Sequence, residues 1–253
     1  MSNLLKSRTE IAARVEAKRS RLVEWLKAEV YTDYQTAALV LGCTPATAFK
    51  AVTAMQRDGL LDRHTVGRAS VWSISLMGQI EYLGDNEDPL AVFDARVSEI
   101  TVQHTLAVQR ARIAAEKAGG TGWQAERHIR REAAKAKEAG AASPWLKVPD
   151  GVITLGGQRV AVEVERSVKT PKRYQAIIAE YLQMRRAGTI GAVHYICSSG
   201  KLAKGLHRIF NAIPSVNVKG TEIALREEHY ACFEFFETSA WPKSAQAEAC
   251  TGG

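Results

Sequence analysis

The segment from Lys147 to Lys169 constrains this chain more than any other: Lys-Val-Pro-Asp-Gly-Val-Ile-Thr-Leu-Gly-Gly-Gln-Arg-Val-Ala-Val-Glu-Val-Glu-Arg-Ser-Val-Lys. Two runs rich in aliphatic residues meet at Gly156-Gly157, the pattern of two short antiparallel strands joined by a tight turn. In the second run Val160, Val162 and Val164 alternate with Ala161, Glu163 and Glu165. Successive strand side chains point to opposite faces, so the valines are expected in a core and both glutamates on the other face. Asp150 follows Pro149, where the first strand opens. The hairpin is thus expected to gather Asp150, Glu163 and Glu165 at close quarters. Carboxylates so placed repel unless a cation or protons neutralise them, and hard oxygen ligands suit Mg²⁺ or Mn²⁺. The same alternation describes an amphipathic strand with a solvated acidic face, and the pattern alone leaves both readings open.

The chain has 253 residues, room for two modest domains, and its 46% hydrophobic content is that of an ordinary globular protein. A formal charge of +7 and a pI near 9.3 point to a polyanionic partner, either nucleic acid or a membrane surface. No stretch approaches the roughly 20 apolar residues of a membrane span. The opening Met-Ser-Asn-Leu-Leu-Lys has no apolar signal-peptide core. Cys43, Cys197, Cys232 and Cys250 form no C-x-x-C pair. That argues against a structural zinc site or a disulfide framework, and makes the reducing cytoplasm the expected location.

Taken in order, residues 9–30 read as a helix with an apolar stripe of Ile11, Val15, Leu22, Val23 and Leu26. A shorter helix is expected over 34–41, stopped by Gly42. Thr44 is placed to cap a third helix and Pro45 to open it, with Ala48, Val52 and Met55 inward. Residues 60–63 and 69–74 read as strands flanking a basic tip with Arg63, His64, Gly67 and Arg68. The polar segment Gly84-Asp-Asn-Glu-Asp-Pro89 sets the expected domain boundary, giving domains of 1–85 and 90–237 and a loose tail of 238–253.

In the second domain a long helix is expected over 90–119, carrying His104, and then a strand over 123–129 with Glu126 and Arg127 near its middle. The basic, alanine-rich 130–140 reads as a short helix or a loop. After the acidic hairpin come a helix over 172–187 capped by Thr170, a buried strand over 191–198, a helix over 201–213 and a last strand over 222–226. The alternation implies an α/β domain with a small mixed sheet.

Three helices followed by a hairpin resemble a bacterial winged helix-turn-helix domain. The match lies in Thr44-Pro-Ala-Thr-Ala-Phe-Lys-Ala-Val-Thr-Ala-Met-Gln-Arg-Asp-Gly-Leu-Leu-Asp-Arg63: cap, recognition helix, Gly-Leu-Leu, basic wing. The resemblance implies that this helix enters the major groove of double-stranded DNA, with Thr47 and Lys50 near base edges. Arg57, Arg63 and Arg68 would lie nearer phosphates. The same fold also serves as a protein-interaction module.

The second domain's order of elements, with Pro149-Asp150 and Glu163 around the hairpin, is similar to the restriction-endonuclease-like nuclease core. Its signature places a lysine two residues after the second acid; here that position holds Glu165, a departure for which Lys169 or Lys172 would have to compensate. His104-Thr-Leu-Ala-Val, Trp123-x-x-Glu-Arg127, Pro149-Asp-Gly, Glu163-Val-Glu-Arg166 and Tyr181 fall in the order of the plasmid replication-relaxation family, which includes MobC-type mobilisation relaxases. The resemblance implies a winged helix joined to a nuclease-like fold, nicking DNA at a plasmid origin beside other relaxosome proteins or a coupling protein.

On that view Asp150 and Glu163 hold Mg²⁺ or Mn²⁺, with Glu165 a third ligand or a base. Glu126 is a further acidic candidate, or else pairs with the neighbouring arginines. His104 is a ligand, a proton carrier, or structural. Lys169, Lys172, Arg173, Arg185 and Arg186 would form a phosphate-binding face, or solvated helix charge. Tyr174 and Tyr181 lie seven residues apart on one helix face; they either pack on the sheet or supply a nucleophile. A non-catalytic origin-binding accessory and a double-strand nuclease are the other functions this pattern allows.

Overall fold

The computed structural model describes residues 7–83 and 92–242. It divides into two compact units, 1–110 and 111–253. The boundary expected at Gly84–Pro89 lies outside the described residues, as do residues 243–253 of the expected tail.

The first unit opens with α1 (Arg8–Glu29), where Ser7 and Glu10 close a capping box. Its C-terminal half buries Leu22, Val23, Trp25 and Leu26, whereas Ile11 and Val15 of the same stripe are exposed. β1 (Tyr31–Thr32) follows, a strand not anticipated from a run of only two residues. α2 (Tyr34–Leu41) is capped by Asp33 and ends at Gly42 in the left-handed conformation. α3 (Pro45–Arg57) starts on the Thr44 cap and buries Ala48, Val52 and Met55, as its periodicity predicts. β2 (Leu61–Val66) and β3 (Ala69–Ile74) form a hairpin, and β1 pairs with β3 to complete a three-stranded sheet. The hairpin turn is tighter than expected: Arg63 and His64 lie within β2, which leaves only Gly67 and Arg68 at the tip. A short α4 (Leu76–Tyr82) was not anticipated.

α5 (Glu99–Lys117) begins later than the expected residue 90, and the division between units falls inside it, after Arg110. In the first unit Val102 and Leu106 pack against Tyr31 and Val71. Gln109, fully buried, donates to the Tyr31 carbonyl (2.7 Å) and accepts from the Thr32 hydroxyl (2.9 Å). Burial without those two bonds would cost more than they return in water, so they fix the seating of this half of α5.

The second unit is a five-stranded mixed sheet in the order β10-β7-β6-β5-β4. β4 (Thr121–Ala125) is shorter than expected, because the chain turns into α6 (Glu126–Glu138) at the residue placed near mid-strand. A register shift between Thr121 and Gln124 accompanies that turn. β5 (Gly151–Leu155) and β6 (Gln158–Glu165) form the predicted hairpin, with Gly156 and Gly157 both at positive φ. α7 (Pro171–Arg186), capped by Thr170, leads to β7 (Ala192–Cys197), which pairs parallel to β6. α8 (Gly200–Asn211) comes next.

The expected last strand does form, as β9 (Thr221–Ala224), but it pairs only with β8 (Ser215–Val218) in a separate two-stranded sheet. After the single turn of α9 (Glu227–Tyr230), the sheet's fifth strand is β10 (Phe233–Glu237), parallel to β7. Residues 238–242 are folded rather than loose: a 3-10 turn leads to Trp241, buried and hydrogen-bonded to His194 Nδ1 (3.0 Å). The main core lies between the sheet and α7 and α8, and contains Ile129, Tyr174, Ile178, Tyr181, Tyr195, Leu206 and Phe210. Each buried side chain of this size stabilises the fold by roughly 1.5–3 kcal/mol.

Candidate functional site

The β5–β6 ladder ends at the Gly151–Val162 pair. One step further, the side chain of Asp150 takes over the role of a strand: its Oδ2 accepts the Val164 N–H at 2.7 Å. Asp150 is thereby fixed across β6 beside the glutamates. The Asp150 carbonyl in turn accepts the Glu126 N–H (3.3 Å), which ties the start of α6 to the same place. Residue 151 must be glycine for a separate reason: a β-carbon there would overlap the Trp123 indole on β4. The Trp123 and Pro-Asp-Gly motifs, 25 or so residues apart in the chain, are thus one packed unit.

Glu163 and Glu165 share a face as the alternation predicts, but that face is not solvated. They are only 7% and 5% exposed, and Val160, Val162 and Val164 are buried on the opposite side. The reason is tertiary. β7 sets Tyr195 opposite Glu163 and Cys197 opposite Glu165, and α7 lays Tyr174 and Tyr181 over them. Each glutamate has acquired a cation and a phenol. Lys147 Nζ lies 2.7 Å from Glu163 Oε1, which also accepts the Tyr181 hydroxyl. Lys169 Nζ pairs with Glu165 Oε2, and the Tyr174 hydroxyl is 3.5 Å from the same oxygen. Lys147 has no role in the sequence reading; the available signal was a lysine two residues before the Pro-Asp.

The electrostatics follow from burial. Desolvation, then the neighbouring Asp150 carboxylate, push the Glu163 carboxyl up to about 6, against the opposing pull of Lys147 and Tyr181. Burial raises the Tyr174 hydroxyl to about 12 and Tyr181 and Tyr195 well above the ordinary tyrosine value, with the glutamates adding to each. The Tyr195 hydroxyl has no hydrogen-bond partner among the described residues. Tyr174 and Tyr181 pack on the sheet, fully buried, and ionisation to a nucleophilic phenolate is strongly disfavoured.

The remaining candidates divide between the units. Glu126 is the first residue of α6 and pairs with Arg130 one turn on, the arginine pairing that was its other reading. His104 lies on α5 within the first unit, whereas the carboxylates belong to the second. Lys172 and Arg173 are exposed in the first turn of α7, next to the Thr170 cap. On α3, Thr47 and Lys50 are exposed, with Thr47 hydrogen-bonded to Thr44, and Arg57 pairs with Asp58 at 3.3 Å. Arg63 lies over the Trp72 ring and donates to Ser70 (2.9 Å), while Arg68 is exposed at the turn. His64 is withdrawn from the surface: it stacks on Phe93 with ring centroids 3.9 Å apart, and burial lowers its pKa.

Among the described residues no group of three or more His, Cys, Asp or Glu side chains is arranged to hold a metal ion. The Asp150 carboxylate adds to the upward push on Glu163, and Glu165 has its own lysine. A groove of about 460 Å³ between α7 and the β8–β9 hairpin, lined by Leu182, Arg185, Val216 and Ile223, contains none of the carboxylates. No single helix among the described residues is long and apolar enough to cross a membrane. Comparison of the chain with protein-family models, with curated proteins and with solved structures found no match.

Proposed function

We propose that this chain binds double-stranded DNA at a plasmid origin through a winged helix-turn-helix in its first unit, and nicks one strand at a nuclease-like site in its second. The observation that carries this reading is the buried Glu163 beside the half-buried Asp150, with the Lys147 ammonium 2.7 Å from Glu163. A buried carboxyl whose proton affinity is raised by desolvation and by a neighbouring carboxylate is poised for a cation. Mg²⁺ is commonly held by one or two carboxylates, with substrate phosphate oxygens and water completing its shell, so two protein ligands suffice. Asp150 and Glu163 would hold the ion, which supplies Lewis-acid polarisation of the scissile phosphate and stabilises the leaving oxyanion. Lys147, which holds positive charge beside Glu163, would serve in place of the lysine that the family pattern lacks here. Glu165, paired with Lys169 under Tyr174, fixes the end of β6 rather than replacing that lysine.

The second reading, an origin-binding accessory without chemistry, is favoured by the same ion pairs: each buried glutamate is already compensated by a lysine of its own chain. Supercoiled plasmid carrying the cognate origin, incubated with the full chain and Mg²⁺ or Mn²⁺, separates the readings. Open circles are the expected product. Linear product would make the protein a double-strand nuclease, and unchanged supercoils would leave the accessory.

DNA reading is tested on the same chain. Lys50→Ala is expected to reduce the preference for origin over random duplex, because Lys50 is exposed on the outer face of α3. Arg68→Ala, at the hairpin turn, should weaken both complexes equally and lower the salt dependence by about one unit of slope. Equal affinity of the wild type for both duplexes would remove the first unit as the reader.

A further inference from the structure

α6 carries more exposed positive charge than the ion pairs of its own fold take up. Its inward residues are Ile129, buried in the main core, and Ala133, packed against that core. Of its three acids two are committed, Glu126 to Arg130, and Glu132 to the Trp145 indole N–H (3.1 Å) and the Gln124 amide (3.3 Å); the third, Glu138, is exposed at the last position of the helix. Arg131, Lys135 and Lys137 are exposed, and none of them is in an ion pair among the described residues. Arg131 and Lys135 stand four residues apart, hence one turn apart on the same face, an arrangement that destabilises an isolated helix. Glu138 offsets one of these charges, and the chain that follows, Ala139-Gly-Ala-Ala-Ser-Pro144, brings no further counter-charge. His128 senses the excess: after burial, the charges of Arg127, Arg131 and Arg112 hold its pKa down.

The start of α6 is hydrogen-bonded to Asp150, so the cationic face leads away from the carboxylate pair. We propose that α6 is a second nucleic-acid contact, in which Arg131, Lys135 and Lys137 bind the phosphate backbone of duplex DNA flanking the strand presented to Asp150 and Glu163. It reads no sequence: long exposed cations without a groove-inserted element neutralise phosphates and hold register. A membrane surface fits less well, since an interfacial helix inserts an apolar face and here the apolar face is already in the core.

This inference rests on the DNA-binding reading, and the test keeps the two apart. The full chain and its Arg131→Gln, Lys135→Gln, Lys137→Gln triple variant are titrated with origin duplex and with random duplex at several salt concentrations. Circular dichroism of both proteins checks that α6 is retained. Releasing three phosphate contacts should flatten the slope of log affinity against log salt by roughly 2 to 3. Both duplexes should weaken together, leaving the origin preference unchanged. A wild type with a steep salt dependence and a triple variant with the same slope would overturn the α6 contact alone. A wild type that binds neither duplex would overturn the DNA reading and this contact with it. Co-sedimentation with phosphatidylserine vesicles that the triple variant loses, with duplex binding unaltered, would reassign the face to a membrane.

Discussion

Glu163→Gln should abolish metal-dependent nicking, by at least a hundredfold, and at the same time make the protein more stable above pH 6. The two effects have one origin. The carboxylate that would hold the ion is buried beside Asp150, and its proton affinity is raised to about 6. An unfolded glutamate titrates near 4.3. Below that value Glu163 is protonated in both states, and its contribution to stability is fully present. As pH rises towards 6 the unfolded chain releases its proton first, and stability falls; above 6 the folded protein carries a buried charge costing on the order of 2 kcal/mol. Glutamine keeps the shape and one acceptor oxygen for the Lys147 ammonium and the Tyr181 hydroxyl but never ionises. In chelator, the variant's melting temperature should therefore match the wild type near pH 4 and exceed it by several degrees at pH 7.5. Asp150→Ala should abolish nicking too, but it also strips the Val164 N–H of its acceptor, so its stability gain should be smaller or absent. Origin affinity should survive in both variants. Adding Mn²⁺ should stabilise the wild type by mass action and have much less effect on either variant. A Glu163→Gln protein that still nicks as fast as wild type would end the metal reading, and one that is less stable at pH 7.5 would show that the Lys147 pairing outweighs desolvation.

Gly151→Ala is expected to be the most damaging small substitution near the site. The added methyl group would enter the space of the Trp123 ring, and neither a strand backbone nor an indole yields easily. Overpacking of this kind costs about 1–3 kcal/mol. The displacement would fall on the residue next to Asp150, so nicking should drop along with the melting temperature. Trp123→Leu alone should cost less, because Trp123 is only half-buried and its indole N–H has no partner among the described residues. Combined, the two substitutions should be clearly less than additive, since the smaller side chain makes room for the methyl group. Thermal melting of the wild type, both single variants and the double variant closes the cycle. Strict additivity would mean that the Trp123–Gly151 contact is not what couples β4 to β5 at this point.

Where the sequence was read correctly, the deciding interactions lie within a few residues of one another. Thr44-Pro45 and Thr170-Pro171 start helices because cap and first turn are contiguous, and Gly42 stops one because only a glycine-like conformation fits there. Gly156-Gly157 sets the hairpin, and with it the register that puts Glu163 and Glu165 on one face. Glu126 was misplaced by the same local logic: alternation continues past Ala125, but a register shift in β4 turns the chain into α6 one residue later.

What only the tertiary structure decided is the environment of those residues. Nothing in the alternation of β6 distinguishes a solvated acidic face from a buried one. That choice was made by β7, about thirty residues on, whose parallel pairing brings Tyr195 and Cys197 against the glutamates, and by the two tyrosines of α7. Likewise residues 222–226 read as the last strand, whereas 233–237, not identified from the sequence, form the sheet's fifth strand. Residues 233–237 join the sheet because their aromatic side chains pack with Phe210 and Tyr195, while β9 (Thr221–Ala224), exposed along its length, has only β8 to pair with. Local sequence determined the β5–β6 hairpin and which way its side chains alternate. The price of burying two carboxylates, and the two lysines and two tyrosines that meet it, exist only once segments far apart in the chain have packed together.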